Sequence, residues 1–195
     1  MRMPVLETPR LAIRPFHLDD LAACHALLDA NGGEESGSLE ERERWLRWTL
    51  LNYGELERLH QPPYGDRAVI HRASGLLIGS CGLVPCLLPR VPAPHARARA
   101  HAKRFVPEVG LYYAFSRGER GKGYATEAAG ALIDWAMREL HLQRILAMTT
   151  YENARSRRVM ERLGMRIYEN PDPDPPWLQI VGILESDADS SELDV

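Results

Sequence analysis

Arg120-Gly121-Lys122-Gly123-Tyr124-Ala125-Thr126-Glu127-Ala128 joins a strand-like run to a long amphipathic stretch, and its two alternate glycines decide how the chain is read. Glycine removes the side chain where a loop turns into a helix, so backbone N–H groups can approach a ligand closely. The first helical turn has N–H groups without intrahelical partners and carries about +0.5 of a charge from the macrodipole. Together these features make an anion site, with phosphate the usual anion. A plain helix-entry loop stays open as a reading of this stretch alone. A triphosphate loop requires Ser or Thr directly after Gly-Lys, and Lys122 is followed by Gly123. A dinucleotide fingerprint requires a third glycine where Thr126 stands, and βαβ units from the start of the domain.

The neighbours on both sides narrow the choice. Glu108-Val-Gly-Leu-Tyr-Tyr-Ala-Phe-Ser116 reads as a strand before the loop. After it come a helix to about Leu140, a strand over Arg144–Thr150, and Glu152-Asn153-Ala-Arg-Ser156 opening a shorter helix that closes on Gly164. This order of motifs over 108–170 resembles the GNAT superfamily of N-acetyltransferases, most closely the branch that acetylates the N-terminal amines of ribosomal proteins. Leu6-Glu-Thr-Pro-Arg-Leu-Ala-Ile-Arg14-Pro-Phe16 resembles the first strand of that branch.

The resemblance implies a fold, a cosubstrate and a set of residues. The fold is α/β, a mixed and mostly antiparallel central sheet of about seven strands with helices on both faces. The cosubstrate is acetyl-CoA, with no metal. Its pyrophosphate is expected on the amides of Arg120, Gly121, Lys122, Gly123, Tyr124, Ala125 and Thr126, which the helix-terminus physics supports independently. Its pantetheine arm is expected along Leu111, Tyr112, Tyr113, Ala114 and Phe115, where one amide would donate to the oxyanion. The three aromatic side chains there also read as plain core. Glu108 is the candidate general base, with a strand-edge glutamate in water as the alternative. Many GNAT enzymes carry a tyrosine seven residues after the motif asparagine, and Met160 fills that position here. Ser156, three residues after Asn153, is the candidate proton donor or thiolate stabiliser, and also reads as a first-turn residue bonding locally. Asn153 is a helix cap, a coenzyme contact or both. Arg158, with Arg155 and Arg157, reads as a phosphate contact or a solvated face. The acceptor is a primary amine, a peptide N-terminus or a small molecule. A non-catalytic acyl-CoA-binding or sensing protein of the same fold is the alternative function.

Composition bounds the rest. The 195 residues allow one domain, expected over 1–184, and 45% apolar with 26% charged residues is ordinary for a soluble protein. No apolar run is long enough to span a bilayer, and the N-terminus lacks the apolar core of a leader, so a cytoplasmic protein without membrane partners is expected. Cys24, Cys81 and Cys86 have no metal-ligand spacing and read as free thiols. Net charge is −3, which gives no reason to expect nucleic acid. Residues 67–107 contain no Asp or Glu, and the Arg-rich stretch 85–105 reads as a basic flap; 167–195 contain no Lys or Arg, and 185–195 reads as an acidic disordered tail. The flap lacks the interleaved aromatics that stacking on RNA requires. A monomer and a homodimer are equally open.

Elsewhere the pattern predicts one strand over 6–16, a helix through Asn31 capped by Asp19 or Asp20 and stopped by Gly32-Gly33, and a helix from a Ser38/Glu41 capping box to about Leu59. In the second helix Trp45, Trp48, Leu51 and Leu56 read as the apolar face, and Gly54 as a break. A hairpin over 67–84 turns at Ala73-Ser-Gly75, and 165–168 and 178–184 are the last strands.

Overall fold

Pro9 has no N–H to continue a ladder, and the opening run accordingly forms two strands, β1 (Leu6–Glu7) and β2 (Leu11–Arg14), instead of one. They pair antiparallel with Leu6 opposite Ile13. The computed structural model describes residues 3–29, 37–89 and 105–186. In order these form α1 (Leu21–Asp29), α2 (Leu39–Arg58), β3 (Gly65–His71), β4 (Leu77–Pro89), β5 (Phe105–Phe115), α3 (Tyr124–Glu139), β6 (Arg144–Thr149), α4 (Ala154–Arg162), β7 (Arg166–Glu169) and β8 (Ile180–Glu185). The strands make one mixed eight-stranded sheet in the order β1-β2-β3-β4-β5-β6-β8-β7. The β1–β2, β2–β3, β3–β4, β6–β8 and β7–β8 pairs are antiparallel, and β5–β6 is parallel at Gly110↔Leu146.

The chain divides into two compact units, Met1–Val84 with Leu111–Leu142, and Pro85–Gly110 with Gln143–Val195. In the first, Leu11 and Ile13 of β2 are fully buried, and Phe16, Cys24, Leu27, Leu28, Leu46, Ala68 and Ala114 form a core cluster. In the second, Leu88, Leu146, Leu178, Val181 and Ile183 form the core cluster.

Asp20 does not cap α1. A short 3-10 turn over Leu18–Asp20 precedes the helix, and the Asp20 carboxylate accepts from His17 N at 2.7 Å and from Arg14 at 2.7 and 2.8 Å. The capping box of α2 forms as expected, with Glu41 N donating to Ser38 Oγ at 3.2 Å and Ser38 N to Glu41 Oε2 at 2.8 Å. Gly54 does not break α2, which runs unbroken for 20 residues. Its inward stripe is Leu46, Thr49 and Leu56, while Trp48 and Leu51 are 61% and 65% exposed. Leu56 is buried and Trp45 packs on the core cluster as expected, but at the middle of the helix Thr49 faces inward beside the expected Trp48, a neighbour that periodicity alone does not exclude. Residues 85–89 and Phe105 are strand, so the basic flap is shorter at both ends; its remainder, 90–104, lies outside the described residues. The expected stop at Gly32-Gly33, with Asn31, lies outside them too. Glu185 belongs to β8, and 187–195 of the acidic tail is not described.

β4 passes close under β5 at Gly79. A Cβ there would stand 2.6 Å from the Phe115 ring and 2.8 Å from the Ala114 carbonyl oxygen. Gly79→Ala is therefore expected to lower the unfolding free energy by about 1–3 kcal/mol through overpacking, read from the urea midpoint.

Candidate active site

The loop between β5 and α3 turns through a 3-10 segment, Arg117–Glu119, and then two glycines with φ of +80° (Gly121) and +83° (Gly123). L side chains avoid that region, so glycine is the residue that closes this turn. Gly123 is the N-cap of α3 and offers no side-chain acceptor. The first intrahelical bond runs from Glu127 N to the Gly123 carbonyl at 3.0 Å. The amides of Tyr124, Ala125 and Thr126 precede it and have no carbonyl four residues back within the helix. A Cβ at Gly121 would meet nothing within 4 Å, so the loop surface is open. The Thr126 hydroxyl oxygen is buried without a hydrogen-bond partner among the described residues. Positive backbone, open space and an orphaned hydroxyl together fit a pyrophosphate.

What holds this loop came from residues that the sequence reading passed over. Glu127, in the first turn of α3, accepts from Thr8 Oγ1 at 2.6 Å, Arg10 N at 3.0 Å and Arg10 Nε at 2.6 Å. Arg10 also donates to the Lys122 carbonyl at 3.0 Å, and its guanidinium lies 4.5 Å from the Tyr124 ring centroid. Burial works to raise the Glu127 pKa, but the Thr8 and Arg10 bonds outweigh it and hold the carboxyl below its ordinary range. The signal was the acid in the first turn of α3; nothing local to it points to a Thr-Pro-Arg turn far upstream.

Two of the loop's own cations are engaged. Lys122 Nζ pairs with Glu119 at 2.9 Å, and Arg120 Nε donates to the Phe115 carbonyl at 3.0 Å, joining the loop to the end of β5. Leu111, Ala114 and Phe115 are buried, Tyr112 packs against the core cluster, and Tyr113 is half-buried. All these residues belong to the first unit.

Glu108, Asn153, Ser156 and Arg158 belong to the second unit. Glu108 is half-buried on β5, with Arg144 of β6 3.4 Å away. Burial raises its pKa, Glu185 adds to the rise, and Arg144 opposes it; the rise wins. Arg144 stands opposite Glu185 in the β6–β8 register, and Glu185 pairs with Arg166 of β7, so charges alternate across four strands. Asn153 caps α4, its Oδ1 accepting from Ser156 N at 3.1 Å and its Nδ2 donating to Thr149 Oγ1 at 2.9 Å. Ser156 is half-buried, while Asn153 and Arg158 are exposed. Arg157 is held by Glu161 at 3.2 Å and Glu169 at 2.7 Å. Met160 is fully buried, and a Cβ on Gly182 of β8 would lie 3.0 Å from its sulfur.

The three cysteines are free thiols; burial pushes Cys24 up to about 11 and Cys81 higher still, so both are protonated near neutral pH. Among the described residues, no His, Cys, Asp or Glu group is arranged to hold a metal ion, and no helix is long and apolar enough to cross a membrane.

Residues 10–166 match the acetyltransferase (GNAT) domain family. The chain belongs to the GNAT acetyltransferases. It is 42% identical over 59 residues to the N-acetyltransferase YnaD of Bacillus subtilis (strain 168), a match that spans 30% of this chain and 34% of YnaD. An acetyltransferase structure from Agrobacterium tumefaciens str. C58 is 25% identical, with a TM-score of 0.68 over 95% of this chain and 96% of the other. A ribosomal L7/L12 alpha-N-protein acetyltransferase, RimL, solved with coenzyme A, shares the fold at 13% identity and a TM-score of 0.68, covering 95% of this chain and all of its own.

Glu127→Gln is expected to lower stability at pH 7 by about 1–3 kcal/mol, since Thr8 and Arg10 lose a charged acceptor. A carboxyl whose folded pKa is depressed stabilises above its unfolded value, about 4.3, and loses that contribution as pH falls through the folded value. The wild-type advantage in urea unfolding should therefore hold from pH 8 to about 5 and shrink below about 4.

Proposed function

We propose that the protein is an acetyl-CoA-dependent N-acetyltransferase that moves the acetyl group to a primary amine by direct attack in a ternary complex. The observation that carries this reading is the uncapped start of α3, entered through two glycines and held by Glu127 and Arg10, in a chain of the acetyltransferase family. The acceptor is a protein N-terminus or a small amine, and the reaction takes place in the cytoplasm.

Acetyl-CoA supplies the activated acyl carbon. The amides from Arg120 to Thr126 bind its pyrophosphate, and binding energy gained there fixes orientation at the reacting end. The backbone of Leu111–Phe115 receives the pantetheine arm, and one of its amides stabilises the developing oxyanion. An amine attacks only after losing its proton. Glu108 is the base, and its raised pKa suits proton uptake closer to neutrality than an exposed carboxylate would allow. Ser156, positioned in the first turn of α4 by the Asn153 cap, donates to the leaving sulfur or stabilises it. Asn153 and Arg158 contact the coenzyme.

One observation favours a second reading, non-catalytic acyl-CoA binding or sensing. The position that bears a tyrosine in many GNAT enzymes is Met160, sealed in the core of its unit. Thiol release with any amine separates the two.

Isothermal titration tests the coenzyme site. Wild type should bind acetyl-CoA in the micromolar range, and the Gly121→Glu, Gly123→Glu double variant should lose about 100-fold or more from like-charge repulsion. No binding to the wild type removes the proposal. Glu108→Gln tests the base: kcat/KM should fall by about 100-fold or more, with acetyl-CoA affinity unchanged. In the wild type the rate should rise with pH through the Glu108 pKa, above the ordinary glutamate value, and that limb should vanish in the variant.

A further inference from the structure

One buried cation in the first unit has no counter-charge among the described residues. Arg67 of β3 is 3% exposed, and its Nε has no hydrogen-bond partner. Among the described residues no carboxylate pairs with its guanidinium, which instead lies 4.5 Å from the centroid of the Tyr53 ring. Burial lowers its pKa, opposed only by Tyr53. A buried guanidinium nitrogen left without a partner is unfavourable, and buried polar groups in native proteins almost always have a partner.

Arg67 and Tyr53 both line a cavity of about 210 Å³, together with Met3, Leu56, Pro63 and Tyr64. The walls are mostly apolar and the cation is one placed polar group, the usual make-up of a small-molecule site. A cavity of about 150 Å³ holds benzene, so this one has room for a ring or branched chain bearing a carboxylate. Glu57 also lines the cavity, which disfavours a second negative charge on the occupant. Gly54, exposed on α2, lines it too, and a Cβ there would meet nothing within 4 Å. The glycine that fails to break the helix thus keeps side-chain bulk away from the opening.

We propose that this cavity binds a small monocarboxylate with an apolar body, its carboxylate paired with the Arg67 guanidinium. The site is independent of the glycine loop and of the acetyl-transfer reading.

Benzoate is the probe and benzamide its neutral isostere, each titrated into the full chain at low ionic strength and followed by protein-observed NMR. Benzoate should bind at least about tenfold more tightly than benzamide, reflecting a charge-assisted bidentate contact. Arg67→Met should abolish that preference. Gly54→Phe, which fills open space on a helix, should block both probes with Tm at or above wild type and acetyl-CoA affinity unchanged. If Arg67→Met fails to fold, Gly54→Phe still decides the matter. Equal binding of the two probes, no benzoate binding up to about 10 mM, or a folded Gly54→Phe that binds benzoate like wild type would each overturn the proposal.

Discussion

A helix that begins on glycine must be held at its N-terminus by something other than its own cap, and in this chain Glu127 is that anchor. The usual cap residues satisfy the first amides with a side-chain oxygen. Such an oxygen would compete for the N–H groups an incoming phosphate needs, and an acidic cap would repel the phosphate as well. Gly123 leaves those amides available but supplies no rigidity. Glu127 restores it from within the helix by gathering Thr8 and Arg10, and Arg10 reaches on to the Lys122 carbonyl and the Tyr124 ring. The geometry of the glycine loop is therefore set by the β1–β2 turn, more than a hundred residues earlier in the chain.

On the proposed reading, anion recognition falls to the main chain. Lys122 is occupied by Glu119, and Arg120 reaches back to the Phe115 carbonyl. The first amides of α3, at the positive end of its dipole, form a fixed array that requires no side-chain ordering when a ligand arrives. The same Arg120 bond ties the loop to the end of β5, and Gly79 lets β4 lie against that strand without a side chain between them.

Features whose signal is local were legible in the sequence. The two glycines, the Ser38/Glu41 box, the Asn153 cap and the Gly164 stop each depend on a few neighbouring residues, and all form. Features that depend on distant partners were not. Trp48 and Leu51 matched helical spacing as well as Leu46 and Thr49 do, and only the packed neighbours of α2 select the second stripe. Asp20 read as a cap because it precedes a helix, but the nearby Arg14 guanidinium claims it. The division of the first strand was missed although Pro9 signals it, since a residue without an N–H cannot extend a ladder. The Glu127 anchor and the unpaired Arg67 needed the fold, because no short window contains both halves of either.

Glu108 shows how a paired carboxylate can still hold its proton more tightly than usual. An arginine 3.4 Å away would ordinarily lower the pKa. Here Arg144 stands opposite Glu185, whose negative charge also reaches Glu108 and adds to the effect of burial. Burial is the largest influence and outweighs Arg144, while the ion pair still restrains the side chain. Arg166 then balances Glu185 at the far side of the ladder. A carboxylate restrained in place yet raised in pKa has the properties that proton abstraction from an ammonium group demands. The four residues place alternating charges on β5, β6, β8 and β7, while the cohesion of that half of the sheet rests on the buried cluster of Leu88, Leu146, Leu178, Val181 and Ile183.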